Sequence, residues 1–128
     1  MASPVPHIEA AKLTLPEVIT GHTAGHAVPI TRSATMLPVH FPGTGEIIAS
    51  LQEDDADQVK KAVAAARDRF QSGEWSQCSV DEKQRVLRGA AQAIRNHTHD
   101  LALQESLCAG LPFAHLAARQ IPRAADNF

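Results

Sequence analysis

The spacing of apolar residues changes near residue 55, and that change restricts the folds this chain can adopt. Before it, short β-capable runs alternate with Gly and Pro. After it, apolar residues recur every three or four positions, as on one face of an α-helix. This helical pattern continues to the last residue. The sequence therefore predicts an α+β, mainly helical fold, in which an N-terminal β-hairpin or meander is followed by about four helices.

The stretch PGTGE predicts a tight turn between two apolar runs. Pro42 fixes its own φ angle, and Gly43 and Gly45 can take positive φ values, which tight turns often require. We therefore expect the runs MLPVHF and EIIASL to pair with each other. The predicted element is an antiparallel β-hairpin over residues 37–51.

Strand signals also occur upstream of the hairpin. EVITG and HAVPITR are candidates, and Pro29 restricts the second of them to the edge of a sheet. Three prolines within residues 1–16 predict a flexible N-terminal tail. Because 128 residues is an ordinary length for one domain, residues 17–128 are expected to form a single unit.

Two of the helix starts carry capping signals. Asp55 is followed three residues later by Gln58, and Ser79 is followed three residues later by Glu82. The second pair is the closer match to the S-x-x-E capping box, in which the Glu side chain reaches back to the backbone of the cap. The predicted helices cover residues 55–71, 79–96, 99–109 and 113–128.

The third and fourth helices have less regular end signals. Thr98 or Asp100 should start the third helix, and Gly110 followed by Pro112 should end it. Pro122 lies inside the fourth helix. It either occupies a first helical turn or kinks a continuous helix.

Each helical segment carries an apolar face that should pack against the rest of the fold. Aromatic residues make up only 4% of the chain, so the core must be built from Ala, Leu, Val and Ile. Such a core is thin, because each alanine buries little area. The apolar faces are Val59, Ala62, Val63, Ala66 and Phe70 in the first helix, Val86, Leu87, Ala90, Ala91 and Ile94 in the second, and Ile121, Ala124, Ala125 and Phe128 in the last.

Charge and composition exclude several classes of partner. A net charge of −2, with basic and acidic residues interleaved, argues against nucleic acid binding. The sequence contains no run of 18 apolar residues, so no membrane partner is expected. Two cysteines without metal or redox spacing are typical of free thiols in a reducing compartment. Together with an N-terminus unlike a secretory signal, they predict a cytoplasmic protein.

Few residues are candidates for chemistry. Cys78 is predicted in a loop just before a helix N-terminus, a position that can activate a thiol, but no motif surrounds it. Cys108, at the end of the third helix, is interpreted as a packed or partly exposed side chain. The seven histidines raise a metal-dependent hydrolase as a further hypothesis. Neither the pair His22 and His26 nor the histidines at 97 and 99 have a third ligand at suitable spacing, so exposed loop histidines are the simpler interpretation.

Several segments, taken in order, carry a family resemblance. VITGHT is followed by FPGTGEIIASLQEDDADQVKKAVAAARDRFQSGEWSQ, SVDEKQRVLRGAAQAI, LALQESLCAGLP and IPRAADNF. In the aldehyde dehydrogenase family an N-P-x-T-G-E turn joins two strands and leads into the first helix, and a later helix ends at D-T-G-K-P. Over residues 17–128 the chain resembles the N-terminal segment of these enzymes, of the semialdehyde or betaine-aldehyde dehydrogenase type.

The resemblance implies an incomplete part of a larger α/β fold. Family members have a Rossmann-like NAD(P)-binding domain, a catalytic domain and an oligomerisation arm, and they oxidise an aldehyde to a carboxylic acid. Their catalytic Cys, Glu and Asn, and their cofactor loop, match no position here, so no catalytic or cofactor-binding residue is assigned. NAD or NADP is expected for the full-length enzyme and no cofactor for this chain alone. The implied partner is the rest of the fold or a homologous subunit.

One family site falls partly within the chain. Many members bind a monovalent cation through backbone carbonyls just before N-P-x-T-G-E and through the Asp of D-T-G. The resemblance places those carbonyls at Val39 and His40, and it places Cys108 at the Asp position. A thiol is a poor ligand for a hard cation, which prefers oxygen. The turn also departs from the pattern, because Phe41 replaces the Asn and Gly43 occupies the variable position.

Two functional hypotheses follow from the resemblance. In the first, the chain is an N-terminal fragment of an aldehyde dehydrogenase, inactive alone, whose last helix continues downstream and whose apolar helix faces are exposed. In the second, it is a stand-alone, non-catalytic helical module that binds a protein partner through the same faces. An in-frame continuation of the coding DNA beyond codon 128 would favour the fragment, whereas a stop codon and a stable, monodisperse protein would favour the module.

Overall fold

A computed structural model describes residues 15–128 of the chain. The predicted tail, residues 1–16, lies outside the described residues except for its last two. The strands are β1 (Val18–Ile19), β2 (His22–Thr23), β3 (His26–Ala27), β4 (Met36–His40) and β5 (Ile47–Gln52). The helices are α1 (Ala56–Ser72), α2 (Glu74–Gln77), α3 (Val80–Asn96), α4 (Thr98–Ala109), α5 (Phe113–His115) and α6 (Ile121–Asp126), with a π-helical turn (Leu116–Gln120) between the last two.

The predicted hairpin is confirmed and forms the centre of a small sheet. Strands β4 and β5 pair antiparallel, with Leu37 opposite Leu51, and a register shift lies between Val39 and His40. Strand β1 pairs parallel with β5, which gives the order β1–β5–β4. Strands β2 and β3 form a separate antiparallel ribbon. The α+β, mainly helical fold class predicted from the sequence is therefore confirmed.

The prolines near the sheet lie where a missing N–H is tolerated. Pro38 is in β4, an edge strand. Pro29 differs from the prediction, because β3 ends two residues before it. Its carbonyl instead accepts a hydrogen bond from Nε2 of Gln52 at 3.1 Å. The Oε1 atom of Gln52 accepts from the Thr31 backbone N–H at 2.6 Å. The loop thereby satisfies the one buried polar side chain among the described residues.

The two capping signals give different results. Asp55 forms a complete capping box, because its carboxylate accepts from the Gln58 N–H and the Gln58 side chain accepts from the Asp55 N–H at 2.8 Å. The prediction for the other pair is wrong in one half. The Ser79 hydroxyl does accept from the Glu82 N–H, but the Glu82 carboxylate is held by Arg85, one turn further along α3, and does not reach back.

The start of α4 also differs from the prediction. Its N-cap is His97, without a side-chain hydrogen bond, and neither Thr98 nor Asp100 caps it. The Thr98 hydroxyl instead donates to the Arg95 carbonyl of α3 at 2.8 Å. His97 is the only residue between the two helices. The predicted end is correct, since Gly110 takes the left-handed conformation at the C-cap.

The chain around Pro122 combines the two alternatives drawn from the sequence. Pro122 is the second residue of α6, and the five residues before this helix form the π-helical turn. In that turn the Ile121 N–H bonds to the carbonyl of Leu116. Proline has no backbone N–H to donate, and in a regular α-helix its ring would clash with the carbonyl four residues back. The wider π turn accommodates it. The helical path thus continues through Pro122.

The core is thin and alanine-rich, as the composition predicts. Helices α3, α4 and α6 and the π turn pack together, while Ile48 of the sheet packs with Leu107 of α4. The buried apolar residues are Ile48, Ala49, Ala91, Ala102, Leu107, Leu116 and Ala125.

Helix α1 departs most from the expected burial. Each of its residues is at least partly exposed. On its apolar face Val63 is 62% exposed and Phe70 is 85% exposed. The expected face exists as a pattern, but the described residues do not bury it.

Candidate functional site

The turn between β4 and β5 carries the positions singled out by the resemblance. The Phe41 N–H donates to the Glu46 carbonyl, and the Gly45 N–H donates to the Phe41 carbonyl, both at 2.8 Å. Gly45 has φ +76°, as expected, but Gly43 does not take a positive φ. A Cβ atom at Gly43 would lie 2.7 Å from the Phe41 ring. A side chain at position 43 would therefore force the Phe41 ring, which replaces the family's Asn, to shift.

This turn lies against the C-terminal end of α4. A Cβ atom at Gly110 would lie 3.2 Å from Cβ of Pro42, so Gly110 lies close to the Pro42 side chain. Val39 packs on the cluster formed by Ile48 and Leu107. Leu107 is the residue directly before Cys108. A cavity of about 290 Å³ remains beside the contact, lined by Phe41, Pro42, Gly43, Ser106, Ala109 and Gly110. The structure thus places the segments of Val39, His40 and Cys108 next to each other.

The chemistry of this site does not match that of a monovalent cation site. The Cys108 side chain is exposed. Partial burial of the thiol, followed by the negative charge of Glu105, raises the pKa of Cys108 above its ordinary value. The thiol therefore stays neutral near pH 7. A neutral sulfur at the carboxylate position leaves the backbone carbonyls without an anionic partner, which weakens this donor set for a hard cation.

Cys78 occupies a structural position. It is half-buried at the C-cap of α2, immediately before the N-cap of α3. Its Sγ donates to the Glu74 carbonyl at 2.9 Å. Because α2 occupies part of the predicted loop, Cys78 has a neighbour four residues back that the sequence did not indicate. Among residues 15–128, the hydrogen bond found for this thiol is to its own short helix and not to a base.

The histidines do not converge. Within residues 15–128, no three His, Cys, Asp or Glu side chains are grouped so that they could hold a metal ion. The His99 ring packs edge-on against Phe113 at a centroid distance of 5.3 Å. The Nδ1 atom of His97 lies 3.8 Å from a carboxylate oxygen of Asp100. The described residues therefore give the metal-dependent hydrolase hypothesis no support.

A polar cavity that the sequence analysis missed lies at the N-terminus of α1. It measures about 320 Å³ and holds Asp54, whose Oδ1 is buried without a hydrogen-bond partner among the described residues. A Cβ atom at Gly21 would lie 2.7 Å from its other carboxylate oxygen. The run EDD is visible in the sequence, but only its last residue, Asp55, carries a predicted role, as a helix cap. The lining residues are Thr31, Ser33, Ala34, Thr35, Glu53, Asp54, Asp55 and Gln58.

Comparison with known proteins gives a consistent result. The model of the aldehyde dehydrogenase family matches residues 30–128. The mitochondrial aldehyde dehydrogenase family 2 member B4 of Arabidopsis thaliana is 34% identical over 93% of this chain and 23% of its own length. The mitochondrial benzaldehyde dehydrogenase of Antirrhinum majus is 33% identical over 70% of this chain and 17% of its own.

Solved structures match the fold. An NAD-dependent aldehyde dehydrogenase from Sinorhizobium meliloti superposes with a TM-score of 0.81 at 32% identity, over 98% of this chain and 24% of its own. The betaine aldehyde dehydrogenase of Staphylococcus aureus, solved with NAD⁺, shares the fold with a TM-score of 0.77 at 23% identity, over 96% of this chain and 26% of its own.

The matches cover only part of each relative. The chain spans 17–26% of the length of these four relatives. Among the described residues, no helix is long and apolar enough to cross a bilayer. The match of the family model over residues 30–128 covers well over half of the chain and agrees with the resemblance drawn from its motifs. This chain belongs to the aldehyde dehydrogenase family.

Proposed function

We propose that the chain is the N-terminal part of an NAD(P)-dependent aldehyde dehydrogenase, which oxidises an aldehyde to a carboxylic acid, and that this part is catalytically incomplete on its own. The observation that carries the proposal is the asymmetric match. The relative from Sinorhizobium meliloti covers 98% of this chain, while the chain covers 24% of that relative. The chain therefore supplies the hairpin and outer helices of the family fold.

The partner we propose is the remaining part of the same fold or a homologous subunit. The α1 apolar face, defined by Val59, Val63, Ala66 and Phe70, supports this. These residues recur at helical spacing on one side of α1, and all four are exposed. An apolar helix face without a packing partner indicates an interaction surface. The stand-alone module that binds a protein would use the same face.

The proposed cofactor belongs to the complete enzyme. NAD or NADP would be bound by the parts of the fold that this chain does not match, so none is proposed for the chain alone. Relatives in which the cofactor is named support this choice. A cytoplasmic location is proposed on chemical grounds, because both cysteines are free thiols.

The proposal is tested by measuring NADH or NADPH fluorescence with the purified chain, a panel of aliphatic and aromatic aldehydes, and each cofactor. No reduced cofactor should accumulate, because neither Cys78 nor Cys108 has the surroundings of an activated nucleophile. A full-length aldehyde dehydrogenase serves as the positive control. Aldehyde-dependent turnover that scales with the concentration of the purified chain would refute catalytic incompleteness.

A further inference from the structure

The segment that the family uses for a monovalent cation has a different composition in this chain. We propose that the β4–β5 turn is held on the C-terminal end of α4 by direct side-chain and backbone contact, without K⁺ or Na⁺ bound between them. The inference concerns ion binding and stability, so it does not depend on whether the chain takes part in aldehyde oxidation.

Within residues 15–128, the cavity beside the turn offers a cation no anionic oxygen from its lining side chains. Among the described residues, the six that line the cavity beside the turn include no carboxylate. The polar side chain there is Ser106, whose hydroxyl donates to the Leu111 carbonyl at 2.7 Å. Glu105 is exposed and does not line the cavity. A hard cation would have to be desolvated mainly by neutral groups.

Two carbonyl groups of the turn, those of Phe41 and Gly45, already have hydrogen-bond donors. The Phe41 carbonyl accepts from the Gly45 N–H at 2.8 Å and from the Thr44 N–H at 3.3 Å. The Gly45 carbonyl lies 3.0 Å from Nδ1 of His40, which must be the donor because a carbonyl only accepts. Imidazole and backbone N–H groups thus satisfy these two carbonyl groups of the turn without an ion.

The turn and the end of α4 also touch directly, through Pro42 and Gly110. Pro42 packs on Gly110 so closely that even a methyl group there would be crowded at 3.2 Å. Gly110 adopts φ +72° at the helix end, which presents its bare backbone to the proline. Packing of this kind joins the turn to α4 without a bridging ligand.

The test compares thermal unfolding of the full chain in about 0.1 M KCl, NaCl and choline chloride, which screen charge equally. For the wild type we expect midpoints that agree within about 1 °C. Cys108→Asp restores the family's carboxylate, and its midpoint should rise by about 4 °C or more in KCl or NaCl over choline chloride. Cys108→Asn is the matched control, because Asn has the shape of Asp but no charge. Its midpoint should not depend on which cation is present.

Sodium NMR linewidths provide a second measurement that does not require unfolding. The wild type should leave the ²³Na line unchanged, whereas Cys108→Asp should broaden it. Selective stabilisation of the wild type by K⁺ or Na⁺, or specific broadening by it, would overturn the proposal. A folded Cys108→Asp variant that ignores both ions would overturn the role assigned to Cys108.

Discussion

Single residues set the geometry of the turn and of the helix ends. Gly45 and Gly110 both have positive φ, but only Gly110 also faces another residue, Pro42, across a close contact. The sequence predicted the positive φ at Gly45 and the helix end at Gly110 from general turn and cap chemistry. It could not predict the clash at Gly43, because that depends on the position of the Phe41 ring.

Gly110→Ala should therefore destabilise the chain more than Gly45→Ala. Both substitutions place a Cβ atom in the left-handed region, which costs about 1–2 kcal/mol. Gly110→Ala adds crowding against Pro42, for a total of about 2–3 kcal/mol. Urea unfolding of both variants measures the difference in the free energy of unfolding. Equal losses for the two variants would show that Pro42 does not press on Gly110.

The Glu82–Arg85 pair makes stability depend on pH. The hydrogen bond from Arg85, and then its positive charge, lower the pKa of Glu82 below its ordinary value. A carboxyl with a lowered folded-state pKa contributes stability above its unfolded-state pKa, and this contribution is lost as pH falls through the folded-state value. Because the pair is exposed, the effect should be small.

The matching experiment is an NMR titration of the Glu82 carboxyl carbon. Arg85→Gln should return the pKa of Glu82 toward its ordinary value, while Arg88→Gln, one turn away, should leave it lowered. The stability difference between wild type and Arg85→Gln should disappear in acid. A Glu82 pKa that is the same in both variants would show that Arg85 does not hold the carboxylate in solution.

At the scale of elements, periodicity and caps identified the long helices, and the turn sequence identified the hairpin. Four features escaped prediction. EVITG predicted a strand where β1 forms, but not its parallel pairing with β5, and the short helix α2 is too brief to show a period of its own. Glu82 matched the capping box, yet Arg85 lies three residues along the same helix and holds its carboxylate. Pro122 did not indicate the π turn before α6, and the first residue of that turn, Leu116, is 2% exposed.

Helix packing through small residues gives a prediction at this scale. Ala102 of α4 is fully buried at 0% exposure, whereas Ala66 of α1 is exposed. Ala102→Leu should lower the free energy of unfolding by about 1–3 kcal/mol through overpacking. Ala66→Leu makes the same change on an exposed face and should alter stability by less than about 0.5 kcal/mol. Chemical denaturation of both variants provides the comparison, and a tolerated Ala102→Leu would contradict close packing of α4.

For the whole molecule, the exposed α1 apolar face predicts self-association of the isolated chain. Phe70→Glu removes the most exposed of its large apolar side chains. It should lower the weight-average mass in sedimentation velocity with little change in stability, because α1 buries no side chain among the described residues. Gln71→Glu adds the same charge at the next position and is the control. If both variants associate equally, the surface responsible for self-association is not the α1 apolar face.

The most direct test of the account is reconstitution. The Sinorhizobium meliloti relative, lacking the quarter that this chain matches, is co-expressed with this chain, and NADH formation from an aldehyde is measured. Its own N-terminal quarter is the positive control. Our account predicts that neither piece is active alone, that together they co-purify and form NADH, and that Phe70→Glu weakens this effect while Gln71→Glu does not. If the relative's own segment restores activity but this chain neither binds nor restores it, the claim that the chain supplies this part of the fold is contradicted.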